Sequence, residues 1–167
     1  MMVNQISWIV RPAIESDAKG ITECVRLAYL HYVDRIGKPP GPMTENYKEV
    51  IQTQEVHVAE SLPGGHGQVI GVLVLIPSAE RFLLDNVAVL PQAQGAGVGS
   101  ALIELAEQRA AELGYDRIQL YTHECMTENL QMYPRLGYLE CNRVVEKGYP
   151  RVYFEKIIDP GKFARLK

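Results

Sequence analysis

Three glycines at alternate positions, Gly95, Gly97 and Gly99, lie where an apolar run that ends at Leu90 passes into a segment with helical spacing that begins at Val98. Glycine reaches positive φ without steric cost, so successive N–H groups in such a turn can converge on one point. A helix starting there adds about half a positive charge at its N-terminus. Together these make an anion site, and the missing Cβ atoms let a pyrophosphate approach the main chain. No lysine or arginine lies in residues 91–100. Binding then rests on backbone donors, which suits a diphosphate inside a larger ligand better than a lone phosphate.

Register separates the known glycine signatures. A phosphate-binding loop of the form G-x-x-x-x-G-K-[ST] needs a lysine that is absent here. A dinucleotide fingerprint G-x-G-x-x-G/A puts Ser100 at its sixth position when started at Gly95 and Leu102 when started at Gly97, a poor fit either way. A nicotinamide-dependent enzyme is thereby a third option, distinguished by NAD binding without competition from coenzyme A. The pattern Q/R-x-x-G-x-G/A fits as Gln94, Gly95, Ala96, Gly97, Val98 and Gly99, with the strand residues Val87, Ala88, Val89 and Pro91 before it. The chain in this respect resembles the GNAT superfamily of acyl-CoA-dependent N-acetyltransferases.

The resemblance implies that residues 94–100, through Ser100, hold the coenzyme A pyrophosphate. It also implies that backbone groups of Val87, Ala88, Val89 and Leu90 grip the acyl and pantetheine portions, with the Val89 N–H as oxyanion donor. A second family stretch, N-x-x-A-x-x-x-Y-x-x-x-G-F/Y, aligns at Tyr133, Gly137 and Tyr138. There the family asparagine becomes Met126 and its alanine Asn129, so Asn129 is the residue that can replace the cofactor contact from one turn on. Tyr133 matches the tyrosine that assists the departing thiolate. A phenol near pKa 10 is a weaker acid than a thiol near 8.5, so full donation is uphill by about 2 kcal/mol, and hydrogen bonding to the developing charge is the easier role. The alternative for a tyrosine on a short helix is core packing.

Amine attack on a thioester needs an oxyanion donor, a deprotonated amine and help for the leaving sulfur. Asp85, His123 and Glu124 are the polar groups placed to remove a proton, although each also has a structural reading: a strand irregularity for Asp85, and a solvated strand end for the other two. Cys125 has no base partner in the sequence pattern and reads as a structural thiol, which favours direct transfer. Tyr32, Arg35, Tyr149 and Arg151 offer aromatic walls and positive charge for the acceptor, suiting a carboxylate-bearing amine.

These groups need a scaffold. Residues 6–11 read as a strand ended by Pro12, with Ser16 as cap of a first helix whose stripe is Ile21, Val25, Ala28 and Tyr32 up to Gly37. Residues 37–43 form a proline-stiffened loop, and Thr44 caps a short helix through Thr53. Residues 56–60 and 68–76 form an antiparallel hairpin around a glycine-rich loop. Residues 82–90, a helix over 98–113 and a strand over 118–122 make a right-handed crossover with parallel strands. A helix over 127–136 and strands over 138–145 and 151–158 complete the chain. The expected fold class is α+β: a GNAT-like, mostly antiparallel sheet of about seven strands with one parallel βαβ pair, flanked by about four helices.

Composition agrees with one domain over residues 1–167, being 47% hydrophobic and 22% charged. A net charge of −3 argues against nucleic acid, and the short apolar run near the N-terminus argues against a membrane span or signal segment. Three cysteines without ligand spacing imply no metal and a cytoplasmic setting. The expected activity is transfer of acetyl from acetyl-CoA to a primary amine of a small molecule or peptide. The alternative is a catalytically silent acyl-CoA-binding or sensor module. Terminal strands offer an edge for a homodimer.

Overall fold

The computed structural model describes residues 6–62 and 67–164. Among them the strands β1 (Trp8–Pro12), β2 (Glu55–Ser61), β3 (Val69–Pro77), β4 (Phe82–Val89), β5 (Arg117–His123), β6 (Leu139–Glu146) and β7 (Tyr149–Ile157) form one sheet in the order β1-β2-β3-β4-β5-β7-β6. The helices are α1 (Ala18–Tyr29), α2 (Val33–Ile36), α3 (Tyr47–Thr53), α4 (Val98–Glu112), α5 (Thr127–Arg135) and α6 (Pro160–Phe163). The pair β4 and β5 is parallel, with Leu83 beside Gln119 and Leu84 beside Leu120, as a helical crossover requires. The α+β architecture with one parallel pair is the expected one. Part of the expected hairpin loop, residues 63–66, and the C-terminal residues 165–167 lie outside the described residues.

The chain divides into two compact units, residues 1–75 with 86–104, and residues 76–85 with 105–167. In the first, the stripe of α1 buries Ile21, Val25 and Ala28 as its spacing predicts. The helix does not run unbroken to Gly37. It gives way to a 3-10 turn at Leu30–Tyr32 before the single turn of α2, and Gly37 then leaves at φ 84°. Ser16 makes no cap. Asp17 takes that place in the turn, accepting the Ile14 N–H at 2.8 Å and both ends of the Arg11 guanidinium. Thr44 closes a 3-10 turn onto the Gly41 carbonyl, so Asn46 caps α3 instead by accepting from Lys48 N at 3.2 Å.

Gly71 on β3 sets where α4 begins. A Cβ there would stand 2.7 Å from Val98 Cγ1, 3.0 Å from Leu102 Cδ1 and 3.2 Å from the Ala59 Cβ, so the first turn of α4 rests directly on the strand backbone. Gly71→Ala is therefore expected to cost about 1–3 kcal/mol of stability by overpacking, read by denaturant unfolding. Because Val98 must shift with it, the start of α4 should be displaced as well.

In the second unit β5 pairs antiparallel with β7, and β7 with β6. The β6–β7 connection is a two-residue turn, Lys147 at φ 52° and Gly148 at φ 78°, the left-handed pair a tight hairpin needs. At the opposite end of this hairpin, Glu107 of α4 is a buried carboxylate satisfied by Tyr138 Oη at 3.1 Å and Lys156 Nζ at 2.7 Å. That pairing fixes α4 against the fully buried Tyr138.

Candidate active site

Within the first unit, β4 ends in a 3-10 turn at Pro91–Ala93, and α4 starts at Val98. Ala93 and Val98 are buried, while Gln94, Gly95, Ala96 and Gly97 between them are exposed. The turn is thus pinned at both ends with its middle presented outward. Gly95 has φ 82° and Gly97 φ 85°, whereas Gly99 lies inside α4. A Cβ on Gly95 would meet nothing within 4 Å, and one on Gly97 only a Trp8 ring carbon at 4.0 Å. Open space over two left-handed glycines at the mouth of a 15-residue helix is the form a pyrophosphate cradle takes. The residues present therefore fit the group.

The strand feeding this turn is braced from below. Asn86, 4% exposed, accepts from Tyr29 Oη at 2.7 Å and donates to Tyr47 Oη at 3.3 Å, and Tyr47 donates to the Pro42 carbonyl at 2.8 Å. One amide so links β4 to α1, α3 and the proline loop. Tyr29 Oη also lies 3.3 Å from the Val87 carbonyl, and Leu90 N donates to the Ile70 carbonyl at 2.9 Å. The Leu90 N–H therefore belongs to the sheet. Tyr32 is buried, with the Arg35 guanidinium 5.3 Å from its ring centroid and the His31 ring tilted against it at 3.8 Å.

In the second unit the registers bring one set of side chains to a single sheet face. The pairing of Leu84 with Leu120 places Asp85 beside Tyr121, and the pairings of Tyr121 with Tyr153 and His123 with Arg151 extend the row. Alternate residues Leu120, Thr122, Val152 and Phe154 are buried on the other side. Tyr121 Oη donates to Asp85 Oδ1 at 2.9 Å. The Arg151 guanidinium lies 4.1 Å from the Tyr121 ring centroid and pairs with Glu146 Oε2 at 2.8 Å. Tyr153 Oη donates to the same carboxylate at 2.9 Å and 3.1 Å. Burial pushes the Asp85 carboxyl above its ordinary range, opposed by the Tyr121 hydrogen bond and the charges of Arg151, Lys147 and Arg81. Burial, with the Asp85 charge beside it, also raises the Tyr121 phenol.

Asp85, His123, Tyr149 and Arg151 of the sequence reading share this face. His123 Nδ1 accepts the Cys125 N–H at 3.0 Å, and its ring meets Tyr149 edge-on at 6.2 Å. Glu124 is exposed just past β5. Tyr133, 4% exposed, packs against Tyr138 and Phe154 at 5.8 Å, and Phe154 points away from the Tyr153 side of β7. Asn129 Nδ2 donates to Thr122 Oγ1 at 3.1 Å and lies 3.7 Å from the Met126 sulfur, which Thr122 also reaches at 3.3 Å. Met126 is thus held inward where the family pattern has asparagine. Tyr121, Tyr153 and Glu146 escaped the sequence reading. Their signal was the period-two row Tyr121 and His123, matched across the sheet by Tyr149, Arg151 and Tyr153.

Among the described residues no helix is long and apolar enough to cross a membrane, and no cluster of three His, Cys, Asp or Glu side chains is arranged to hold a metal. Comparison with known structures finds the same fold in the PaiA N-acetyltransferase of Thermoplasma acidophilum in complex with coenzyme A, at 18% identity and TM-score 0.72, covering 91% of this chain and 99% of that one. An IAA acetyltransferase from Bacillus cereus ATCC 14579 matches at 19% identity and TM-score 0.65, over 90% and 99% of the two chains. The ribosomal-protein-S18-alanine N-acetyltransferase of Escherichia coli matches at 14% identity and TM-score 0.68, over 92% and 95%. Comparison with curated protein sequences finds no relative. The acetyltransferase (GNAT) family matches residues 26–138, a span that runs from α1 through the glycine turn to the start of β6. The chain belongs to that family, and its acetyl donor is acetyl-CoA.

Proposed function

We propose that the protein transfers acetyl from acetyl-CoA directly to a primary amine of a small molecule or peptide, in a single-domain cytoplasmic enzyme. The observation that carries this reading is the exposed turn with Gly95 at φ 82° and Gly97 at φ 85° leading into α4. Backbone amides of residues 94–100 take the pyrophosphate, and main-chain groups of Val87, Ala88 and Val89 take the pantetheine and thioester. Asn129, with its amide nitrogen turned toward Thr122, contributes its carbonyl oxygen to the cofactor.

Asp85 is the proton acceptor in this scheme. Its raised pKa brings it nearer to an amine's than an ordinary carboxylate would be, and it stands on the face that also carries Tyr149 and Arg151. His123 is less well placed to take the proton, because its Nδ1 lone pair already accepts the Cys125 N–H. Glu124 is exposed just past β5. Tyr133, which packs against Phe154 on the other side of β7 from Tyr153, assists the departing thiolate. Tyr32, Arg35, Tyr149 and Arg151 set acceptor preference toward amines that carry a carboxylate. Cys24, Cys125 and Cys141, none of them in a disulfide, support a reducing compartment, and the terminal edge strands a homodimer.

The test is calorimetry with coenzyme A followed by a thiol-release screen of acetyl-CoA against amino acids, polyamines, aminoglycosides, arylamines and peptides. Heat on binding and release with at least one amine support the enzyme. Binding without release from any amine supports a silent sensor module. Tyr133→Phe is expected to lower kcat by about 10–100-fold with coenzyme A affinity little changed. Unchanged turnover would remove its role.

A further inference from the structure

We infer that Tyr121 and Arg151 are positioning residues for Asp85: the Tyr121 hydroxyl holds Oδ1 so that Oδ2 receives the amine proton, and the Arg151 guanidinium clamps the phenol. The inference rests on Asp85 being the proton acceptor proposed above. Geometry carries it. The parallel register sets the two side chains next to each other, and the hydrogen bond of 2.9 Å is the one Asp85 side-chain bond among the described residues. Oδ2 carries no hydrogen bond there. A carboxylate with one oxygen fixed and the other without a hydrogen bond presents a defined lone pair to an incoming N–H.

Behind the phenol the support is continuous. Arg151 stacks on the Tyr121 ring at 4.1 Å, and its side chain, 14% exposed, is fixed by Glu146 at 2.8 Å. Glu146 also takes the Tyr153 hydroxyl, and the Tyr153 ring stands 5.6 Å from that of Tyr121. Had the phenol needed only a partner for burial, the end of the chain of contacts at Asp85 would require nothing further. Instead a guanidinium, a second carboxylate and a second phenol hold it in one orientation.

The step balances without any other reactant. The amine nitrogen bonds to the acetyl carbon to give a tetrahedral oxyanion, one N–H proton moves to Asp85 Oδ2, and the C–S bond then breaks to release the thiolate, which takes a proton from solvent. Tyr121 keeps its own proton throughout, in keeping with the upward push that burial gives its pKa. The groups facing Asp85 are Tyr121 from β5, Arg151 from β7, Lys147 from the β6–β7 turn and Arg81 before β4. All four favour the carboxylate form, so removing Tyr121 or Arg151 raises the Asp85 pKa.

Two readouts on the full chain test this. Carboxyl carbon-13 NMR titrates Asp85, its resonance assigned by its loss in Asp85→Asn. The pH profile of kcat/KM follows acetyl transfer to the best acceptor of the thiol-release screen. In Tyr121→Phe the Asp85 titration is expected to move up by about one pH unit, as loss of a charge-assisted hydrogen bond implies, and the acidic limb of the rate profile to move with it. Arg151→Gln moves both in the same direction and stands in if Tyr121→Phe does not fold. A limb that coincides with the Asp85 titration but stays in place in both variants overturns the positioning role alone. A limb that persists in Asp85→Asn overturns Asp85 as the base.

Discussion

Asp85→Asn is expected to lower acetyl transfer to an amine by about 10²–10⁴-fold at neutral pH, the usual contribution of a positioned general base. Asparagine nearly matches aspartate in volume and can still accept the Tyr121 hydroxyl, so the loss reports proton transfer rather than shape. The same substitution should make the protein more stable at that pH. Burial raises the native pKa of Asp85, so the folded state holds this proton more tightly than the unfolded chain does. As pH rises through the ordinary carboxylate range, the unfolded state ionises first and stability falls, until the native carboxyl also ionises above that range. The gain from asparagine is therefore smallest in acid and complete above the raised native pKa. Thermal unfolding of both proteins at several pH values measures it. A variant both inactive and less stable at neutral pH would show that Asp85 serves packing.

Loss of activity with gain of stability marks a group kept for chemistry. Glu107 is the contrast within the same unit. It is buried too, but Lys156 and Tyr138 satisfy it, and its partners tie α4 to β7 and to Tyr138. Asp85 has a single phenol among the described residues, with no hydrogen bond to its second oxygen.

The elements of this fold were legible because each has a local cause. The stripe Ile21, Val25 and Ala28, the Gly114 exit after α4 at φ 83° and the tight turn before β7 all follow from spacing and residue type. The glycine turn was legible for the same reason, since its φ angles and exposure are properties of a short contiguous segment. Caps were misplaced where a non-local contact decided them. Arg11 on β1 draws Asp17 into the capping place that Ser16 could fill, and the turn at Gly41–Thr44 occupies Thr44 before Asn46 takes its role. The break in α1 at Leu30 carries no proline or glycine and had no signal.

The Asp85 environment was illegible for a deeper reason. The sequence marks β4 and β5 as parallel strands, but their offset is set by packing along the whole crossover. A slip of one residue would send Tyr121 to the other face and leave Asp85 without a partner. Arg151 likewise reads as a substrate-facing charge in sequence, and only the pairing of Tyr121 with Tyr153 shows how near it comes to the phenol.

Gly97→Ala is expected to weaken coenzyme A binding by at least about tenfold, or about 1.4 kcal/mol, with Gly114→Ala as its control. Both glycines have positive φ, 85° and 83°, so alanine at either costs about 1–2 kcal/mol of backbone strain. A Cβ would meet nothing within 4 Å at Gly114 and only Trp8 at 4.0 Å over Gly97. The two variants should therefore lose similar stability in denaturant unfolding. Binding separates them, because in the proposed site the pyrophosphate approaches the amides at the start of α4 through the space over Gly97, whereas Gly114 closes that helix at its other end. Isothermal calorimetry with coenzyme A reads the difference directly. Equal weakening in the two variants would reduce the turn to a strained connection, and unchanged affinity in Gly97→Ala would move the diphosphate away from residues 94–100.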